Sequence, residues 1–150
     1  KNGNIKAETD WLPNHMTDDG FELMYDVFFR DATEPTDYLV GLNTQSLSQT
    51  SSYGDLVEVT GTGYNKITLD RNSTDFPTLA LDNGDIQIET KTVTFENTGS
   101  SAWDAAEDAF LAANLTTNVL VCFRPLSATR TLQPGDTLDV TIKAKGEQPA

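Results

Sequence analysis

The stretch Val119-Leu-Val-Cys-Phe-Arg-Pro-Leu-Ser-Ala-Thr-Arg-Thr-Leu-Gln-Pro-Gly-Asp-Thr-Leu-Asp-Val-Thr-Ile142 decides the fold class. Val119 to Phe123 is a wholly apolar run that stops at Arg124-Pro125, and a brief extended piece follows from Thr129 to Leu132. Pro134-Gly135-Asp136 predicts a tight turn, because proline presets φ and glycine accepts a positive φ. Beyond it Leu138, Val140 and Ile142 alternate with Asp139, Thr141 and Lys143, the period-two pattern of a strand with one dry face. The whole stretch is scaffold and carries no catalytic side chain.

Working outward, Asn83-Gly84 predicts a two-residue type I′ hairpin, since both turn positions need positive φ. That turn sets Leu81 opposite Ile86 and Leu79 opposite Ile88, all on one face. After Ile88 the apolar phase slips by one at Val93 and Phe95, which calls for a bulge or break between Glu89 and Thr92. Tyr38 to Leu42 reads as a buried strand, and Leu56 to Thr60 as another. Gly61-Thr-Gly63 turns the chain, and a strand resumes from Tyr64 to Leu69. Between these pieces, Asn43 to Asp55 is a long Ser/Thr/Gln-rich loop with Tyr53 as its one aromatic residue, the kind of surface loop that often carries function.

Two segments read as helix. Thr17-Asp18-Asp19 offers a capping oxygen and acidic charge at the positive end of a helix dipole. Phe21, Met24, Tyr25, Phe28 and Phe29 then recur at helical spacing until Pro35 bars continuation, and such an aromatic stripe is ordinarily a core-facing one. Over residues 100–115, Trp103, Ala106 and Phe110 have helical spacing in an Ala-rich context, with Ser101 as a cap, so a second short helix is expected there. The sum is a mainly β protein: an antiparallel, jelly-roll-like β-sandwich with one amino-terminal helix and a second short one. The organisation expected is an extended arm over residues 1–16, a single sandwich domain over 17–144 and a flexible tail over 145–150.

The 150 residues suit one core, and seven Phe, four Tyr and two Trp are available to fill it. Lys and Arg number 10 against 23 Asp and Glu, for a net charge of −13. Nucleic acid demands clustered cations, and an anionic membrane repels this balance, so neither is an expected partner. The acidity serves solubility first, and a partner with a basic patch is the functional alternative. No apolar run approaches the ~20 residues that span a bilayer. The one cysteine, Cys122, excludes an intrachain disulfide and sits in an apolar strand as a small hydrophobe.

Catalytic tools are scarce. His15 is the only histidine and lies far from Cys122 in sequence, so a Cys–His couple would arise only by accident of folding. There is no His-Glu-x-x-His and no Gly-x-Ser-x-Gly, and Gly61-Thr-Gly63 has Lys66 where a dinucleotide fingerprint needs glycine. Asp104, Glu107 and Asp108 would share one helical face, which more often marks solvation than acid–base work. The turns Asp70–Asp75 and Asp82–Asp85 hold oxygens suited to calcium, but neither has the twelve-position loop closed by glutamate. Asn72-Ser-Thr74 and Asn114-Leu-Thr116 fit the glycosylation pattern, which matters only in a secretory pathway. Enzyme chemistry, a metal and a cofactor are therefore not expected.

Several pieces in order resemble a diffuse group of small structural proteins of tailed bacteriophages. They are an amino-terminal helix, the strand Tyr38-Leu-Val-Gly-Leu42, the element Glu58-Val-Thr-Gly-Thr-Gly-Tyr64, Val93-Thr-Phe95 with Trp103 behind it, and the closing Leu126-Ser-Ala-Thr-Arg-Thr-Leu-Gln-Pro-Gly-Asp-Thr-Leu138. The likeness runs from Phe21 to Ile142. The group continues as a strand after the Trp, so the helical propensity of Asp104 to Phe110 departs from it.

The resemblance implies a virion component, foremost a capsid decoration (cement) protein on the outer surface of a phage head. It would be made in the host cytoplasm, bind the major capsid protein and self-associate, with a trimer as the symmetric guess. A tail-fibre or baseplate component for host attachment, and a carbohydrate-binding module, are the alternatives. Trp11, Leu12 and Met16 are the candidate arm anchors and Tyr53 the loop candidate, because apolar and aromatic side chains dominate hot spots. Ordinary intramolecular packing is the competing reading for all four.

Overall fold

The computed structural model describes residues 15–81 and 84–145, and the backbone alone of residues 4–6 and 82. In chain order the elements are β1 (Asn4–Lys6), β2 (His15–Met16), α1 (Asp18–Phe29), β3 (Asp37–Asn43), β4 (Ile67–Asp70), β5 (Thr78–Asp82), β6 (Asp85–Glu89), β7 (Val93–Glu96), β8 (Ala106–Asn114), β9 (Val119–Arg130), β10 (Thr137–Val140) and β11 (Lys143–Lys145). They form a five-stranded sheet ordered β2-β9-β8-β3-β4 and two three-stranded sheets, β1-β10-β7 and β11-β6-β5. Every pairing is antiparallel except β1 with β10. This is the mainly β, sandwich-like architecture that the patterning predicts, with the amino-terminal helix of the two expected.

The main core lies between sheets. Val40, Leu42, Leu69, Ala109, Leu111 and Ala113 from the large sheet pack with Val93, Phe95, Leu138 and Val140 from its neighbour. Leu138, Val140 and Ile142 are all buried, as their alternation requires. A second, smaller cluster of Phe110, Ala112, Leu120 and Phe123 is covered by Leu47, Tyr53 and Leu56 from the long loop. Strand β8 is thus buried on both faces.

That double burial corrects the helix expected over residues 100–115, where the chain instead forms β8. A strand covered on both sides loses its polar alternation and reads as a continuous apolar run, and its alanines then mimic helical composition. In consequence Asp104, Glu107 and Asp108 do not form a helical acidic face.

A second correction concerns Arg124-Pro125, which does not end the strand, because β9 runs through to Arg130. Among the described residues β2 pairs with Phe123 and Cys122 alone, and Pro125 lies where the ladder to β8 is irregular, a place that tolerates a missing proline N–H. Asp108 faces Pro125 where the β8–β9 register shifts. The segment from Leu56 to Thr60 pairs more sparsely than a strand, through the bridge Asn43–Glu58 alone.

The Asn83-Gly84 hairpin has the predicted register, Leu79 with Ile88 and Leu81 with Ile86. The phase change after Ile88 marks the passage from β6 to β7, which belong to different sheets. The turn at Pro134 is also in place: the Asp136 amide donates to the Gln133 carbonyl at 2.9 Å, and Gly135 has φ +84.

Helix α1 is anchored at its start. Thr17 is fully buried and donates its hydroxyl to the Leu120 carbonyl, its amide donates to the Val121 carbonyl at 3.0 Å, and its Oγ1 accepts from the Gly20 amide at 3.0 Å. One residue therefore caps the helix and carries on the edge contact of β9 where β2 stops. Gly20 completes the fit, since a Cβ there would sit 2.2 Å from the Val121 carbonyl oxygen.

Candidate interaction surface

Seating α1 on Gly20 fixes which side faces in. Gly20 is buried and Phe21, Leu23 and Val27 are half-buried, whereas Met24, Tyr25, Phe28 and Phe29 are exposed, the last two at 76% and 79%. The aromatic stripe read as core-facing is therefore mostly turned to solvent, a correction with a local cause. The helix has two apolar rows, and the row holding glycine is the one that can approach the β9 backbone. Tyr25 and Phe29, one turn apart, hold their ring centroids 6.2 Å from each other.

A second apolar surface lies on the β5–β6 hairpin. Leu79 and Leu81 are 71% and 69% exposed, and Ile86 and Ile88 are exposed beside them. Strand β5 is also the outer strand of its sheet. Two such faces on one small domain are unusual, since exposed apolar patches mark contact sites.

Beside α1 an open groove of about 530 Å³ runs toward the β8–β9 turn. Leu23, Asp26, Ala32, Glu34, Asn114 and Thr116 are among its walls. Its two carboxylates are already engaged by cations of this chain: Asp26 holds Arg30 at 2.9 Å, and Glu34 holds Arg71.

The residues singled out in the sequence are dispersed. Trp11 and Leu12 lie outside the described residues. Met16 is buried in the main core, so its side chain is committed to packing. Tyr53 sits in a single 3₁₀ turn, Tyr53–Asp55, packs on the smaller cluster and has the Lys66 ammonium 5.9 Å from its ring centre. In the amino-terminal region, β1 and β2 pair with β10 and β9 of the same chain.

The polar groups weighed for chemistry have structural work. Folding does bring His15 and Cys122 to adjacent cross-strand positions, His15 opposite Phe123 and Met16 opposite Cys122. Strand alternation then separates them: His15 stacks on Phe123 at 5.4 Å, while Cys122 is fully buried on the other side, where burial pushes its thiol up to about 12. Asp104 accepts from the Thr60 amide at 2.9 Å and from the Thr60 hydroxyl, which holds its carboxyl below the usual range. Asp108 accepts from the Leu47 amide at 2.5 Å, and its carboxyl is raised, mainly by burial. Asp75 accepts from Lys91 at 2.6 Å and from the Asp70 amide at 2.7 Å, which holds it low. Among the described residues, no three His, Cys, Asp or Glu side chains group as a metal site would need.

The glycine-rich element also has a packing role. Gly61 and Thr62 form a shelf for Trp103, whose indole N–H donates to the Thr62 carbonyl at 3.0 Å. Tyr64 packs edge-on against Trp103 and donates to the Leu42 carbonyl, and Lys66 pairs with Glu58 at 2.7 Å. Gly61, Thr62, Tyr64 and Trp103 thus meet in one local cluster.

The α1 and hairpin surfaces were missed because periodicity identifies a face without saying what covers it. The available signal was a helix apolar on both sides, with Phe21, Leu23 and Val27 on one and Met24, Tyr25, Phe28 and Phe29 on the other. Comparison with protein-family models, with curated proteins and with solved structures finds no match.

Proposed function

We propose that the chain is a non-enzymatic structural component of a tailed-bacteriophage particle, a decoration protein that attaches to the outer surface of the head through the major capsid protein. The observation that carries this reading is the outward aromatic face of α1 on a rigid sheeted body. Covering a Phe-sized side chain stabilises a complex by roughly 1.5–3 kcal/mol, so Phe28 and Phe29 favour a bound state. The reactive groups, by contrast, are taken up in caps, ion pairs and cores. The ordered likeness from Phe21 to Ile142 supplies the particle context. A shell offers the same docking site many times, so a modest interface gains by multivalency if neighbouring copies also touch. The exposed hairpin is the surface available for such neighbour contacts.

Quantitative mass spectrometry of purified particles tests the proposal. Copies on the order of hundreds per particle support head decoration. A handful per particle would place the chain in the tail instead, and its absence from particles would overturn the virion reading.

A further inference from the structure

The charge around α1 narrows the chemistry of what covers it. The helix holds Asp18, Asp19, Glu22 and Asp26 and no Lys or Arg within its span. Asp18, Glu22, Tyr25 and Phe29 follow the i, i+4, i+7, i+11 row, so carboxylates and aromatic rings share one stripe. The flanking groove adds no unengaged carboxylate, since Asp26 and Glu34 are paired with Arg30 and Arg71, so the acidic border is that of Asp18 and Glu22. Arg30, at the end of the helix, is held by Asp26 across one turn. The surface is therefore an aromatic strip with an acidic border, in a chain of net charge −13.

The geometry points to one occupant: an apolar groove or helix face bordered by lysine or arginine on another protein, which lays its apolar centre on Tyr25, Phe28 and Phe29 and its cations beside Asp18 and Glu22. This deepens the virion reading and rests on it only for the partner's identity. A second copy of the same face is a poor occupant, because an isologous contact sets each acidic border against its own kind. An anionic lipid surface is repelled in the same way.

The test uses the full chain and two synthetic amphipathic helices, each with a leucine face, one bordered by lysines and one by glutamates. Binding is followed by calorimetry from low to high salt. The lysine peptide is expected to bind, to weaken as salt rises, and to bind at least about tenfold less tightly to Phe28→Ser/Phe29→Ser and to Glu22→Lys. The glutamate peptide is expected to bind at least about tenfold less tightly than the lysine peptide. Equal binding of both peptides, or undiminished lysine-peptide binding by the double serine variant, would overturn the inference. So would sedimentation showing a wild-type dimer that the serine variant dissociates, since the occupant would then be a second copy. Copy number in particles is read separately: abundant copies with failed peptide binding sink this inference alone, and peptide binding with no copies in particles sinks the virion reading alone.

Discussion

Trp103 lies so close to Gly61 that a Cβ on residue 61 would fall 2.2 Å from the indole Cδ1. The contact fixes one wall of the main core, because Trp103 is buried and also packs against Tyr64. Gly61→Ala is expected to cost about 1–3 kcal/mol through overpacking. The loss should shrink in a Trp103→Phe background, where the smaller ring relieves the clash. Chemical denaturation of the four proteins of the cycle checks this, and strictly additive losses would show that the contact does not set the cost.

Gly20→Ala tests how α1 is seated. In an exposed helix interior this change stabilises by about 1 kcal/mol. Here the new methyl meets the Val121 carbonyl oxygen, so the sign should reverse, with a loss of about 1–3 kcal/mol. The control is Phe28→Ser/Phe29→Ser, both exposed, which should change stability by no more than about 0.5 kcal/mol per site. A large loss in the control would mean that the aromatic face is core after all.

Helix α1 also shows what the sequence could and could not convey. Thr17 marks its start legibly, because capping chemistry is local, whereas its end comes at Phe29, ahead of Pro35, where Asp31 takes φ +55. Which row faces the sheet depends on a glycine meeting the backbone of β9, about a hundred residues away. The Asn83-Gly84 hairpin was legible to the residue, since turn and pattern agreed. Strand β8 was not, because cover on both faces erased its alternation, and Pro125 misled because it sits inside β9 at an irregular point of the β8–β9 ladder.

Asp108 should make stability fall as pH rises. Its carboxyl is raised, first by burial and then by Glu107, against the Leu47 amide and His15. The folded state therefore holds its proton more tightly than the unfolded chain. That contribution is complete below the ordinary value of 3.8 and is lost as pH climbs through the raised one. Asp108→Asn should gain in melting temperature relative to wild type between pH 3.5 and pH 7 (roughly the span of carboxyl titration). A difference that does not vary with pH would contradict the assignment.

Asp75 has the opposite sign. Lys91 and the Asp70 amide lower its carboxyl, so its contribution is present above 3.8 and disappears as pH falls through the lowered value. Asp75→Asn should destabilise at pH 7 and converge with wild type in acid. Thermal melts across pH read this directly, and a deficit that persists in strong acid would refute it.

Cys122 should be silent in the folded protein. Its thiol is fully buried and pushed up to about 12, so a thiol reagent at pH 8 should label it only after unfolding. Labelling at native rates would show that the strand opens readily.

The most direct test of the central claim is reconstitution on heads purified from a phage lacking this gene product. The account predicts that wild-type chain loads to saturation, while Phe28→Ser/Phe29→Ser, folded and equally stable, loads at least about tenfold less at the same concentration. Equal loading by the two proteins, or no loading by the wild type, would contradict it.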